Sequence, residues 1–337
     1  MFEILLIDHT KNRLFLAAEF LQWLDGSSYD VYRKEETGQE KKRFFQLFKN
    51  IKIPAPNKTF DLIIDFTDSA DFQSANLIYP ILESKKSHLK KDNIIPPFSK
   101  NQMIYMQPSL ETAIDYVDKY LSQHDFENKN ILISAGPTAE DIDPVRFLTN
   151  RSTGKMGIAL SRAAFIRGAN VQMIVGPVSE TLPQMVECIK IRSAAEMADQ
   201  IKLKFTWCDY FISAAAVADF TPIEVNKNKL KKDKNNLILE LKRTADILQT
   251  INDLRKPHQK MIGFSVETQN LIDNSRQKMK RKNLDMIVAN NPGITGAGFA
   301  ADTNQVEIIT EDKLVSVPLL SKKEIAHQIL NHIKTLH

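Results

Sequence analysis

Two glycines in the sequence STGKMG, residues 152–157, stand where backbone amides could bind a phosphate or a carboxylate. A helical apolar stripe follows them, and the amides at a helix start carry partial positive charge. The segment is not a P-loop, because Met156 follows the lysine where Ser or Thr is required. Simple turn and cap roles for Gly154 and Gly157 explain the pattern equally well.

The sequence SAAAVADF, residues 213–220, is a second candidate for ligand contact. Small side chains at the end of a strand let a flat ligand approach closely, and Asp219 could then bind a metal ion or a polar edge. The alternative is tight packing of a helix on the sheet, with Asp219 as an N-cap or turn residue. Spacing alone favours that alternative.

Lysines at two places could neutralise a polyphosphate. Lys278 and Lys282 lie four residues apart on one face of a predicted helix and could act together on phosphate. Without other evidence, solvated surface charge is the favoured interpretation both of these lysines and of a second, extended group. The extended group could fold over a triphosphate as a flap, and it comprises Lys227, Lys229, Lys231, Lys232 and Lys234.

The composition narrows the function classes. The 337 residues suffice for two domains, and a net charge of +4 does not predict nucleic-acid binding. No apolar run approaches the roughly 18 residues that cross a bilayer, and the N-terminus lacks signal-peptide features. Cys188, Cys208 and the scattered histidines give neither a disulfide framework nor a zinc site. We therefore expect a cytoplasmic protein without membrane contact.

The elements that position these residues alternate along the second part of the chain. Such alternation predicts an α/β fold, a doubly wound, mostly parallel, Rossmann-like sheet, in which ligands bind beyond the carboxyl ends of the strands. We expect this domain over 130–337, a linker at 125–130 and a smaller α/β domain over 1–125. The predicted strands are 131–134, 171–175, 210–213, 261–264, 286–288, 306–309 and 315–319, and the predicted helices are 154–167, 194–204, 270–282 and 322–333.

Seven segments in order resemble bacterial phosphopantothenate–cysteine ligases. They are ISAGPTAEDIDPVRFLTNRSTGKMG (133–157), GPVSE (176–180), SAAAVADF (213–220), KLKK (229–232), ADIL (245–248), IGFSVET (262–268) and KNLDMIVAN (282–290). The resemblance implies an enzyme of coenzyme A biosynthesis that activates 4'-phosphopantothenate with CTP and Mg²⁺. An acyl-cytidylate and pyrophosphate form, and the amine of L-cysteine then displaces CMP. It also implies a homodimer, or a higher homo-oligomer, with sites near the subunit interface.

The resemblance assigns roles position by position. Asn150 would hold the acyl-cytidylate carbonyl, Lys229 would contact the phosphates from the flap, and Asp219 would also serve the metal. Arg146 would contact phosphopantothenate or the dimer partner, and Gly154 and Lys155 would also bind the substrate. The CTP pocket would comprise Ser213, Ala214, Ala215, Asp219, Lys229, Ala245, Asp246, Ile247, Leu248, Phe264, Lys278 and Lys282.

Two segments depart from the family pattern. Thr-Ala-Asp-Ile at 244–247 stands where the family has Asn-Pro-Asp-Ile, and Asn-Arg-Ser-Thr at 150–153 stands where it has Asn-His-Ser-Ser. Neither change removes a charged group that the reaction needs. The first weakens the expectation of a standard cytosine pocket.

The N-terminal part resembles the flavin-dependent phosphopantothenoylcysteine decarboxylase that precedes this ligase in many bacteria. Asn101, Tyr105 and Pro108 fit that family's spacing, but residues 8–12 replace its Gly-rich flavin-phosphate loop, and both cysteines lie in the second domain. We expect an inactive domain without FMN, retained for assembly.

Three other functions remain to be weighed. The first is a bifunctional ligase and decarboxylase, and the second is a non-catalytic nucleotide-binding scaffold. The scaffold is disfavoured because Asn150, Asp219, Lys229, Lys278 and Lys282 are all present. The third, a dinucleotide-dependent oxidoreductase, lacks its G-x-G-x-x-G segment.

Overall fold

The structure is a computed structural model that divides the chain into two compact units, Met1–Leu121 and Ser122–His337. It describes residues 2–7, 29–33, 51–52, 62–65, 77–80, 103–106, 110–231 and 237–336. Residues 8–12, Asn101, Pro108, Lys232 and Lys234, named above, lie outside this described part.

The first unit contains a parallel sheet of six strands in the order β3-β2-β1-β4-β5-β6. Helix α1 (Leu110–Leu121) follows the sheet. Tyr105 lies within the last strand. The strands are β1 (Phe2–Ile7), β2 (Tyr29–Arg33), β3 (Ile51–Lys52), β4 (Leu62–Asp65), β5 (Leu77–Pro80) and β6 (Met103–Met106).

The second unit is built on an eight-stranded sheet accompanied by two small hairpins. In chain order its strands are β7 (Asn130–Ala135), β8 (Ala139–Asp141), β9 (Phe147–Thr149), β10 (Asn170–Val175), β11 (Glu187–Lys190), β12 (Tyr210–Ser213), β13 (Phe220–Pro222), β14 (Leu241–Arg243), β15 (Lys260–Val266), β16 (Met286–Asn290), β17 (Thr303–Thr310) and β18 (Leu314–Ser321). Its helices are α2 (Lys155–Ile166), α3 (Ala194–Phe205), α4 (Ile247–Asn252), α5 (Leu271–Arg281) and α6 (Lys322–Ile333).

The order of the large sheet is β11-β10-β7-β12-β15-β16-β17-β18. The first six strands run parallel, β17 pairs antiparallel with β16, and β18 pairs antiparallel with β17. The predicted doubly wound, mostly parallel α/β fold is therefore confirmed. The antiparallel pairs β8–β9 and β13–β14 lie outside this sheet as separate hairpins.

Helices cover both faces of the large sheet because its strands are apolar on both sides. On one face, Phe205 of α3, Ile251 of α4 and Met279 of α5 share a core with Leu132 and Phe211 of the strands. Helices α2 and α6 pack together on the other face, where α2 contacts β7 and β10. Burial on both faces is typical of a parallel sheet.

The segment 125–130 is part of the second unit, so the predicted linker is wrong. Phe126 is only 1% exposed, and its N–H donates to the carbonyl of Arg167 at 2.9 Å. Asp125 accepts hydrogen bonds from the Arg167 guanidinium. The polar residues of this segment suggested a linker, but the side chains of Asp125 and Asn130 form hydrogen bonds within the unit, and only residues 127–129 are exposed.

The strand order reverses at β7, and this positions the candidate site. The chain leaves β7 through α2 to β10 on one side, and it later returns as β12 on the other side. The connections after β7 and β12 therefore lead to opposite sides of the sheet from the carboxyl ends of these strands, where ligands bind in doubly wound folds.

Candidate active site

The loops that follow β7 and β12 pair with each other beyond the edge of the sheet. The N–H of Ala214 donates to the Ser134 carbonyl at 3.1 Å, and the N–H of Ala216 donates to the Gly136 carbonyl at 2.9 Å. Thr138 Oγ1 accepts from the N–H of Ala218 at 3.0 Å. This close approach explains the run of small residues. Packing is thus one role of the alanines, and Ser213, Ala214 and Ala215 remain partly exposed at this edge.

Asn150 lies on the same loop pair. It follows β9, and its side-chain Nδ2 donates to the carbonyls of Ala216 at 3.0 Å and Val217 at 3.1 Å. The side chain crosses 66 positions of sequence to make the first of these bonds. The structure therefore brings Asn150 next to the segment 213–220, which contains several residues expected to line the CTP pocket.

Glycines let helix α2 begin close to the end of β7. Gly154 caps the helix with φ of 81°, and no side chain caps the helix start. A Cβ on Gly157 would lie 2.5 Å from the Cβ of Ala135. The glycines thus have a packing role, while the first turn of α2 contains no acidic side chain and keeps the positive end of its dipole.

Lys278 and Lys282, near the end of helix α5, contact Phe264 and Asp246 respectively. The Lys278 Nζ donates to the Phe264 carbonyl at 2.8 Å. Lys282 forms an ion pair with Asp246, and the Lys282 side chain is only 15% exposed. Asp246 also caps helix α4 by accepting from the N–H of Gln249 at 3.2 Å. The surface-charge interpretation of Lys278 and Lys282 is therefore wrong.

Asp219 acts electrostatically on both lysines. Burial lowers the pKa of the Lys278 ammonium group, while the negative charges of Glu267 and Asp219 oppose that effect. Burial likewise lowers the pKa of Lys282, and Asp219 again opposes it. The backbone of Asp219 is held because its carbonyl accepts from the N–H of Thr244 at 3.0 Å. Its side chain is exposed, so this carboxylate can meet a ligand beside two cations.

The metal expectation involves one carboxylate rather than a cluster. Within residues 110–231 and 237–336 and the short strands before them, no group of three or more His, Cys, Asp or Glu side chains could hold a metal ion. Mg²⁺ commonly binds through one or two carboxylates together with substrate phosphates. The exposed carboxylate of Asp219 fits that donor set.

The residues of the ADIL segment divide between exposed and core positions. Ala245 is exposed. Ile247 is only 7% exposed and belongs to the core between α3 and the sheet, where Leu248 packs against it. The side chains of Ile247 and Leu248 therefore anchor helix α4, and its capped N-terminus is the part that can face a nucleotide.

The other expected site residues lie in separate contacts. Arg146 pairs with the buried carboxylate of Asp143. Lys155 Nζ lies 2.6 Å from Asp302 Oδ1 and donates to the Ala300 carbonyl at 3.1 Å. Lys229 is exposed.

Asp143 was not among the expected residues. Its place three residues before Arg146, with a proline between them, is a turn signal that could have identified it.

None of the helices in the described ranges is long and apolar enough to cross a membrane.

Comparisons with known proteins identify the family and the relatives that the chain resembles. Residues 126–336 match the family described as DNA/pantothenate metabolism flavoprotein C-terminal domain. The coenzyme A biosynthesis bifunctional protein CoaBC of Bacillus subtilis is 44% identical over 231 residues, which cover 67% of this chain and 57% of that protein. The chain thus matches little more than half of that relative's length.

Two further relatives extend the comparison. A protein named cysteine/cysteine sulfinic acid decarboxylase, from an unknown prokaryotic organism, is 37% identical over 77% of this chain and 76% of its own length. That share of this chain exceeds the second unit, so the match continues into the first. A crystal structure of the C-terminal domain of CoaBC shares 37% identity and a TM-score of 0.54, covering 63% of this chain and 97% of that domain.

Proposed function

The chain belongs to the DNA/pantothenate metabolism flavoprotein C-terminal domain family, and from this premise we propose that it is a phosphopantothenate–cysteine ligase of coenzyme A biosynthesis. Its substrates are 4'-phosphopantothenate, L-cysteine and CTP, and its product is N-[(R)-4-phosphopantothenoyl]-L-cysteine. The observation that carries the proposal is the cluster of Lys278, Lys282 and Asp219 at the strand ends.

The first step brings two anions together, and the cationic residues reduce the electrostatic repulsion between them. The carboxylate of phosphopantothenate attacks the α-phosphorus of CTP, and pyrophosphate leaves. Lys278, Lys282 and Lys229 stabilise the negative charge that develops on the phosphate oxygens. Mg²⁺, held by Asp219 together with the phosphates, would supply further positive charge.

The second step is acyl transfer to cysteine. Its amine attacks the carbonyl carbon of the acyl-cytidylate, CMP leaves, and the amine loses a proton as the amide forms. Asn150 lies at the strand ends with its Nδ2 on two backbone carbonyls. It can hold the acyl carbonyl by exchanging one of these hydrogen bonds, which makes the contact specific to the bound intermediate.

Pyrophosphate release tests the proposal. We expect release from 4'-phosphopantothenate with Mg²⁺ and CTP, less with ATP, and amide formation only when L-cysteine is added. Lys229→Gln should lower release at least tenfold, whereas Lys227→Gln, on the same exposed segment, should change it little. Asn150→Ala should slow turnover of the intermediate. Absence of release with every nucleotide would exclude the ligase and favour a non-catalytic nucleotide-binding scaffold.

A second candidate is a bifunctional protein that also decarboxylates phosphopantothenoylcysteine with FMN. The match to the named decarboxylase favours it, because that match continues into the first unit. The residues 8–12 in place of the flavin-phosphate loop oppose it. Stoichiometric flavin absorbance in the purified protein would support this candidate, and its absence would support an inactive first domain.

We infer that the chain acts in the cytoplasm, as expected for coenzyme A biosynthesis, and that its hairpins contribute to a homodimer. Several exposed large apolar side chains lie in the β8–β9 and β13–β14 hairpins or next to them, and apolar surface patches commonly mark interaction sites. They are Val145, Phe147, Phe220, Ile223, Val225 and Leu241. Light scattering of the full chain should give twice the mass of one chain, and a monomer at micromolar concentration would contradict this.

A further inference from the structure

The carboxylate of Asp143 is a buried meeting point of two distant segments. Its side chain is 0% exposed. Within the turn between β8 and β9 it accepts from the N–H groups of Val145 at 2.8 Å and Arg146 at 2.9 Å. It also accepts from Nε of Arg146 at 3.0 Å and Nη2 at 2.5 Å. A fifth donor, the N–H of Leu230 at 3.1 Å, comes from 87 positions along the chain.

Arg146 completes the attachment of that distant segment. Its Nη2 donates to the Leu230 carbonyl at 3.0 Å. The Asp143–Arg146 pair therefore binds both the N–H and the carbonyl of Leu230. A second contact lies nearby, where the N–H of Asn226 donates to the Ile142 carbonyl at 3.0 Å. The segment 226–230 is therefore fixed to the β8–β9 hairpin at two points.

Lys229 directly precedes the clamped residue and has an exposed side chain. From this juxtaposition we infer that Asp143 and Arg146 are positioning residues that hold the backbone of Lys229 for its contact with phosphate. The inference rests on the proposed function, and it gives Arg146 a task other than direct substrate contact. A lysine on a long flexible stem benefits from such a clamp, because misplacement of about 1 Å can cost about a hundredfold in rate.

The alternative is that the pair only stabilises the hairpin. Asp143→Asn and Arg146→Lys test the difference, since lysine keeps the charge but cannot make the bidentate contact. The matched control is Asp141→Asn, on the neighbouring strand, whose pair with Arg192 is 38% and 48% exposed. Hydrogen–deuterium exchange on the full chain measures the Leu230 amide, and pyrophosphate release measures kcat and KM for CTP.

We expect Asp143→Asn to speed exchange at the Leu230 amide about tenfold or more and to lower kcat about tenfold to a hundredfold, with KM for CTP nearly unchanged. In the Lys229→Gln background the same change should lower kcat no further, because the two residues act as one unit. Arg146→Lys should show a weaker form of both effects, and Asp141→Asn should show neither.

Unchanged exchange in Asp143→Asn would overturn the clamp at any level of activity. An equal loss of kcat with and without Lys229 would overturn the positioning role. A raised KM for phosphopantothenate in Arg146→Lys, with unchanged exchange, would return Arg146 to direct substrate contact. An inactive wild type would contradict the proposed function itself, and the positioning role with it, while exchange at Leu230 would still decide whether the clamp exists.

Discussion

Burial changes what the lysines of helix α5 can do. The Lys278 ammonium group donates to a backbone carbonyl at 2.8 Å, and burial lowers its pKa. A desolvated cation interacts with phosphate more strongly than one in water, because the local dielectric constant is low. Lys280 on the same helix is exposed. Lys278 and Lys280 thus differ in environment, because Lys278 is partly buried near Asp219 and Lys280 faces the solvent.

Lys278→Met should therefore weaken CTP binding while keeping the apolar stem. We expect KM for CTP to rise about tenfold or more, equivalent to about 1.4 kcal/mol of binding free energy. Lys280→Met, the matched control, should change KM less than about twofold, because surface charges contribute little. Initial rates of pyrophosphate release at varied CTP measure both. Equal effects from both substitutions would show that general positive charge, and not the cluster, attracts CTP.

Elements that carry a continuous apolar pattern could be predicted from the sequence. The strand Tyr210–Ser213 and the helix Lys322–Ile333 have the predicted bounds. The hairpins β8–β9 and β13–β14 could not be predicted, because each strand has three residues and several are exposed. Helix α4 has six residues and was likewise missed.

The missed elements are the ones that organise the site. Asp143 lies in the turn of the β8–β9 hairpin, Asn150 directly follows the hairpin, and Asp246 caps α4. Their partners lie up to 87 positions away, as for Asp143 and Leu230. Local periodicity contains no information on such contacts. Family resemblance could nominate Asn150 and Asp246, but the geometry that holds them required the structure.

The contact between α2 and β7 leaves no room for a side chain. In an unconstrained helix, alanine is more stable than glycine by roughly 0.5–1 kcal/mol. A Cβ on Gly157, however, would lie 2.5 Å from the Ala135 Cβ and 3.1 Å from its Cα. Because Ala135 belongs to the central strand, relief requires the helix to move. We expect Gly157→Ala to lower the free energy of unfolding by about 1–3 kcal/mol.

Gly298→Ala is the control for that substitution, because a Cβ there meets nothing within 4 Å. It should change stability by less than about 0.5 kcal/mol. Urea unfolding followed by Trp207 fluorescence, in a Trp23→Phe background, reports on the second unit alone, since the chain has two tryptophans. An unchanged midpoint in Gly157→Ala would mean that the helix moves at no cost.

At the scale of the whole second unit, the carboxylate of Asp125 joins the segment before β7 to the ends of helices α2 and α6. Asp125 accepts from Arg167, which follows α2, and from Lys334 at 3.1 Å, which follows α6. Arg167 also stacks on Phe126, with its guanidinium carbon 4.9 Å from the ring centroid, and donates to the His327 carbonyl. The side chains of Asp125 and Arg167 are only 14% and 9% exposed. This junction closes the unit where its chain begins and ends.

The same junction predicts how the second unit responds to acid. The hydrogen bonds from Arg167, with smaller effects from Lys334, lower the pKa of Asp125 to about 2, whereas an unfolded aspartate titrates near 3.9. Between these values the unfolded state binds the proton more readily, so the stabilisation is complete above about pH 5 and is lost as the pH falls towards 2.

Asp125→Asn should therefore destabilise the unit by about 1–3 kcal/mol at pH 7, and the difference from wild type should shrink steadily below pH 5. Asp141→Asn, which breaks the more exposed pair, should cost less than about 1 kcal/mol. If urea unfolding by Trp207 fluorescence gave a difference for Asp125→Asn that stayed constant down to pH 3, the loss would come from altered packing of the amide and not from the charge.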